Sequence, residues 1–162
     1  MESRAKLFGH PIHQMLVPIP FGLLAMAVVF DLLALVLADG YWSEIAYWMM
    51  AAGVVTGLLA APFGFVDWLA IPSGTRAKRV GALHGLGNVG VVLLFAGSWL
   101  MRGDAPRAPE PMAMALSFVG GGIALITGWL GGELVDRLSV GVDDGAHVDA
   151  PSSLSTPHVG GA

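Results

Sequence analysis

The decapeptide LFGHPIHQML, residues 7–16, sets two histidines, His10 and His13, three apart at the lip of a long apolar segment. A third histidine, His84, lies inside another apolar run and is followed four residues later by Asn88, while Asp67 and Glu133 stand near the ends of two more. Mixed imidazole and carboxylate ligands hold transition-metal ions, and neutral imidazole is an axial ligand of haem iron. An ionisable side chain within a membrane span is costly and marks a functional candidate. Two sites follow from these residues. His10, His13, Asp67, His84 and Glu133 form a candidate metal set, and His13 with His84, flanked by His10 and Asn88, forms a candidate haem set.

Each residue also has a plainer use. His10 can cap a helix begun by Pro11, and Asn88 can make a simple interhelical hydrogen bond. Asp67 can pair with Arg137 or with the basic stretch 76–79. Glu133 lies four residues before Arg137, the spacing of a helical ion pair. His147 and His158 fall in a polar tail and are expected to be solvated.

The elements that must carry these residues follow from composition. Of 162 residues, 55% are hydrophobic and 12% charged, against about a quarter charged in an average soluble protein. Apolar stretches run from Met15 to Ala38, Ile45 to Ile71, Val80 to Met101 and Met112 to Val135. Each reaches the ~20 residues that cross ~30 Å of hydrocarbon as a helix. Closed β-barrels, the other spanning solution, would show alternating short strands, which are missing here. The fold class is therefore an all-α integral membrane protein, an antiparallel bundle of four transmembrane helices with both termini on the same side. The spans are expected over about 12–38, 44–71, 80–101 and 111–136, in a domain of residues 1–137 followed by a flexible polar tail, 138–162. Pro18 and Pro20 should kink the first helix, which is too long for a signal-peptide core and is read as a retained span. Ser43 is a plausible N-cap for the second helix, and Pro111 suits the first turn of the fourth.

That topology brings the candidate ligands to one depth. Helices one and three begin on the side where two and four end, so His10, His13, Asp67, His84 and Glu133 share a layer. Asp31 stands apart, roughly 27 Å beyond His13 along the first helix. It cannot join the histidines, and either a buried hydrogen bond that locks the bundle or a proton relay is open to it.

Basic residues orient the bundle. Arg4, Lys6, Arg76, Lys78, Arg79 and Arg137 lie on the side of the termini, and Arg102 and Arg107 on the other. The positive-inside rule then places both termini in the cytoplasm, in a cell inner membrane. Glycines spaced four apart, Gly53/Gly57, Gly81/Gly85 and Gly128/Gly132, predict close helix contacts, within one chain or in a homo-oligomer. Thr56-Gly57-Leu58-Leu59 and Thr127-Gly128-Trp129-Leu130 form a faint internal echo. The absence of cysteine excludes disulfides, thiolate metal sites and thiol catalysis. A net charge of −4 leaves no basic surface for nucleic acid. No phosphate-cradling loop, HExxH or Ser-His-Asp set with workable spacing occurs.

The segments GHPIHQMLVPIPFGLL, DWLAIP, LHGLGN and GWLGGELVDRLSVGV closely resemble a bacterial membrane family known as domain of unknown function twenty-two thirty-one, over about residues 8–145. That family's four-helix domain occurs alone or joined to Rieske iron–sulfur domains. The resemblance implies a link with electron transfer, in which any Rieske partner of this chain would be a separate redox protein. Three functions stay open: a b-type haem protein in electron transfer, a transition-metal protein with His and carboxylate ligands, and a non-catalytic membrane anchor or assembly subunit. Haem is slightly favoured. In that reading Arg76, Lys78, Arg79 or Arg137 would meet the propionates.

Overall fold

In a computed structural model of the chain, residues 1–155 are described. A two-stranded antiparallel ribbon, β1 (Lys6–Leu7) and β2 (His10–Pro11), opens the fold. It turns through Phe8 and Gly9, both at positive φ (50° and 84°), as a two-residue hairpin loop of this twist demands. The first span divides into α1 (Ile12–Leu16) and α2 (Pro18–Leu37). Pro18 and Pro20 lack N–H donors, so the break at Val17 falls where the prolines disrupt the hydrogen-bond ladder. The other spans are α3 (Gly40–Ala70), α4 (Arg76–Met101) and α5 (Pro111–Gly132), the last continuing as a π-helical turn over Glu133–Arg137. All four spans are long and apolar enough to cross a membrane. The exposed side chains are accordingly large and apolar, among them Leu58, Leu86, Leu93 and Ile126, as a lipid-facing surface requires.

The helix limits depart from the sequence expectations where capping decides them. The second helix starts at Gly40 rather than near 44, because the Asp39 carboxylate accepts the Tyr41 N–H at 2.9 Å and is the N-cap. Ser43, the expected cap, is buried inside the helix. The first hairpin thus closes through Ala38 and Asp39 alone, with Ala38 in the left-handed conformation that ends α2. The third helix begins at Arg76 rather than 80, since Thr75 Oγ1 accepts the Lys78 N–H. Lys78 then turns back on the preceding helix. Its ammonium donates to the Trp68 and Leu69 carbonyls at 2.7 and 3.3 Å and sits 4.0 Å from the Trp68 ring centroid, adding to the Ile71 N–H that the Trp68 carbonyl already accepts at the helix end.

The helices pair as two tight hairpins, α2 with α3 and α4 with α5, joined to each other by lighter α3–α4 and α2–α5 contacts. The close approaches run through particular glycines. A methyl on Gly53 would fall 2.5 Å from Leu24, one on Gly81 2.8 Å from Trp68 and one on Gly128 3.3 Å from Phe21. Their partners four residues on do not repeat the contact: Gly57 meets Val92 at an ordinary 3.5 Å, and Gly85 and Gly132 face open space. The expected pairs therefore act through their first member alone.

The buried apolar cluster is lopsided. Leu24, Ala27, Ala46, Met50, Val54, Val91 and Phe95 form it, with Val28, Met49, Ile123 and Ala124 packed around them. These residues occupy the half of the bundle away from the termini, called here the far half. In the half nearer the termini, where the histidines stand, Ala60, Ile71 and Leu134 are the buried apolar residues among those described, and none of them joins that cluster.

Residues 138–155 do not project as a free tail. They run back along the amino-terminal segment, with the Gly141 N–H on the Met1 carbonyl and the Ser153 hydroxyl 3.3 Å from His10 Nε2. His158 lies outside the described residues.

Candidate cofactor site

His13 is fixed by the second helix. Its Nδ1 lies 3.1 Å from the Ala60 carbonyl, and its ring rests against Gly64, where a methyl would come within 2.6 Å of Cε1. Pro62, inside α3, loosens the ladder here. A carbonyl can only accept, so Nδ1 carries the proton and the Nε2 lone pair is left over. No donor among the described residues bonds that nitrogen.

His84 repeats the arrangement on the other hairpin. Its Nδ1 lies 2.8 Å from the Thr127 carbonyl, and its ring meets Gly131, where a methyl would approach Cε1 to 3.1 Å. Its Nε2 receives the Asn88 amide at 3.1 Å, and Asn88 Oδ1 accepts from Thr127 Oγ1 at 3.0 Å. His84, Asn88 and Thr127 thus close a ring of three hydrogen bonds, with the tautomer assigned by that network. The structure joins His84 to Asn88 and Thr127, and His13 to Ala60 of the other hairpin. In both histidines an Nδ1–H bond to a backbone carbonyl orients the ring, which is how metal-ligating histidines are usually held.

The remaining candidates are placed elsewhere. Asp67 accepts from the Ser3 hydroxyl at 2.8 and 2.7 Å and from the Arg4 N–H at 2.7 Å. It anchors the amino-terminal segment rather than pairing with Arg137 or the 76–79 stretch. Glu133 pairs with Arg76 at 2.6 Å instead of Arg137, because the first turn of α4 stands beside the end of α5. His10 is exposed on the β-ribbon beside Ser153. Among the described residues, no three His, Asp or Glu side chains are grouped so as to hold a metal ion. The five-residue metal set is not assembled.

Asp31 and Arg102 form a second polar centre in the far half. Both are completely buried, with two parallel bonds of 2.6 and 2.8 Å between guanidinium and carboxylate. Ser117 donates to Asp31 at 2.6 Å, and Arg102 Nε reaches Ser98 Oγ at 3.2 Å. Sequence reading counted Arg102 as a loop cation. It instead caps α4 and turns inward, because an unpaired Asp31 in that environment would be far more costly than the lost hydration of Arg102. The signal was available: a buried acid at that depth needs a partner, and Arg102 closes the helix that ends there. Thr127 was missed as a site residue because a threonine in a span reads as ordinary packing.

Among curated proteins and among solved structures nothing matches this chain. A family profile described as "Predicted membrane protein (DUF2231)" matches residues 9–144. Spanning nearly the whole described bundle, from the β-ribbon through both histidines to the strand of chain that follows α5, that match means the chain belongs to this family of membrane proteins.

Proposed function

We propose that the protein is a redox-cofactor module of a cell inner membrane, with His13 and His84 presenting Nε2 to one centre, b-type haem being favoured over a bare metal ion. One observation carries this reading. Two histidines on different hairpins are each held through Nδ1 to a helix carbonyl and sit beside a glycine, in the half of the bundle that has no apolar cluster of its own. A flat macrocycle would supply the missing packing, and haem iron would supply one-electron chemistry. The protein residues would ligate it, exclude water and, through Arg79 or Arg137, meet anionic edge groups. Asn88 must release His84 Nε2 for ligation. The six-to-two bias of basic residues would put the histidine end at the cytoplasmic side, where a separate Rieske or other redox protein could exchange electrons.

A second reading is favoured by the closed His84–Asn88–Thr127 ring, which leaves no polar group wanting a ligand on that side. It is the membrane anchor or assembly subunit, in which the ring only ties α4 to α5. Absorption spectra and metal analysis of gently purified protein separate the two. The haem reading requires a Soret band that is largely lost in His13→Ala and in His84→Ala, with the double variant little worse than either because both residues serve one site. His147→Ala is the control. Full occupancy in His84→Ala ends the shared-site reading, and a bare metal ion gives stoichiometric metal without the band.

A further inference from the structure

The end of α3 carries an opening that the histidines do not use. A cleft of about 470 Å³ lies there, lined by Ala70 and Pro72 on one side and by Glu2, Arg4 and Asp144 on the other. The backbone under Arg4 is fixed, because its N–H donates to Asp67 at 2.7 Å and the neighbouring Ser3 hydroxyl bonds the same carboxylate. The Arg4 side chain is exposed and enters no ion pair among the described residues.

Most other charges around the cleft are taken. The Met1 ammonium donates to the Ser139 carbonyl at 2.8 Å, and the Met1 carbonyl accepts the Gly141 N–H at 2.9 Å. Glu2 holds Lys6 at 2.5 Å and receives the Asp144 N–H at 3.4 Å, while Lys6 also lies 3.5 Å from Asp143. The Asp144 carboxylate, like the Arg4 guanidinium, enters no ion pair among the described residues. One cation and one anion thus border the same cleft without neutralising each other.

Below the cleft the surface turns apolar. From Ala70 in the cleft wall, steps of four or three residues down α3 lead to Val66, Pro62, Leu59 and Val55, all exposed. Such steps follow one face of a helix. From Ala70 to Val55 that stripe is roughly 22 Å long, more than the ~15 Å of hydrocarbon in one leaflet. Trp68, of a residue type enriched at membrane–water boundaries, puts the cleft at the level of lipid headgroups.

We propose that this cleft binds a zwitterionic phospholipid whose headgroup ends in a primary amine, of the phosphatidylethanolamine type. Its phosphate takes the Arg4 guanidinium, whose fork of donors matches phosphate oxygens. Its ammonium takes Asp144, and one acyl chain lies along Val66, Pro62, Leu59 and Val55. A lipid with a net negative headgroup would satisfy Arg4 but leave Asp144 unpaired, and a choline headgroup has no N–H to give that carboxylate. The site is independent of the cofactor reading.

Delipidated protein in detergent, titrated with dioleoyl phosphatidylethanolamine, phosphatidylglycerol or phosphatidylcholine and read by native mass spectrometry, tests this. Phosphatidylethanolamine should bind about tenfold more tightly than the other two, the scale of one hydrogen bond to a charged group. Arg4→Gln should weaken all three lipids. Asp144→Asn should weaken phosphatidylethanolamine alone and so erase the preference, while Asp149→Asn, an exposed acid outside the cleft, is the control. Glycerophosphoethanolamine, the same headgroup without acyl chains, should fail to compete at equal concentration. Both cleft variants lie on the surface, and a melting temperature equal to that of the parent shows that a loss is of binding and not of fold. Equal binding of the three lipids overturns the assignment, as does an unchanged preference in Asp144→Asn. Unaltered phosphatidylethanolamine binding in Arg4→Gln overturns it as well, and so does effective competition by the chain-free headgroup.

Discussion

Arg102 and Asp31, 71 residues apart in sequence, meet through two parallel hydrogen bonds of 2.6 and 2.8 Å with neither side chain exposed. An arginine at the end of a transmembrane helix ordinarily extends outward to water or headgroups. Here it points back into the bundle, and the pair joins α2 to α4 while Ser117 brings in α5. Removing one partner should therefore cost far more than removing both. Asp31→Leu or Arg102→Met alone strands a buried charge and is expected to cost about 3–5 kcal/mol, whereas the double change should recover much of that loss. Thermal unfolding in detergent across the double-mutant cycle measures it, and additive losses would show that the pair does not act as a unit.

Glycine position, not glycine spacing, should decide which packing variants fail. Gly53→Ala drives a methyl to 2.5 Å from Leu24 and should destabilise the bundle. Gly85→Ala, with nothing within 4 Å, should be neutral or slightly stabilising, by up to about 1 kcal/mol, because alanine is the better helix former. Equal melting shifts for the two would contradict the packing described for α2 against α3.

Asn88 competes for the nitrogen that the haem reading needs. Asn88→Leu should leave His84 tethered to Thr127 while freeing Nε2, so haemin affinity should rise, by up to about tenfold if one neutral hydrogen bond is no longer displaced. Titration followed by the Soret band gives the ratio of dissociation constants. A marked loss of affinity would instead make Asn88 a direct contributor to binding.

Asp67 should behave as an anchor. Asp67→Asn weakens acceptance of the Ser3 hydroxyl and the Arg4 N–H, so amide exchange over residues 3–7 should accelerate while cofactor content stays unchanged. Hydrogen exchange by mass spectrometry together with cofactor analysis checks both halves, and a parallel loss of cofactor would return Asp67 to the ligand set.

Membrane orientation can be read with reporter fusions. With Arg102 buried in its ion pair and Arg107 bound to Glu44 at 2.5 Å, the far face carries even less free positive charge than sequence counting suggested. Fusions at residue 105 should report the outside, and those at 75 and 150 the cytoplasm. The inverted pattern would move the histidine end to the opposite compartment.

The number of spans, their antiparallel order and the common face of the termini were legible in the sequence by itself. Hydrocarbon forces every backbone group of a crossing segment to be paired within it, so length and hydropathy are enough to count helices. The prolines at 18 and 20 marked the break in the first span for an equally local reason. That His13, His84, Asp67 and Glu133 all lie toward the end of the bundle that carries the termini was also readable, since that depends only on position along each helix. Which of them meet was not. Partner choice depends on the rotation of each helix about its own axis and on which hairpins pack tightly, and neither leaves a mark in hydropathy. Hence Asp67 went to Ser3, Glu133 to Arg76, and Arg102 from its apparent place in a loop to the buried carboxylate of Asp31. Asp31 itself was recognisable as a residue in need of a bond. Only the tertiary structure, by bringing the ends of α4 and α5 beside the middle of α2, decided that the bond is an ion pair.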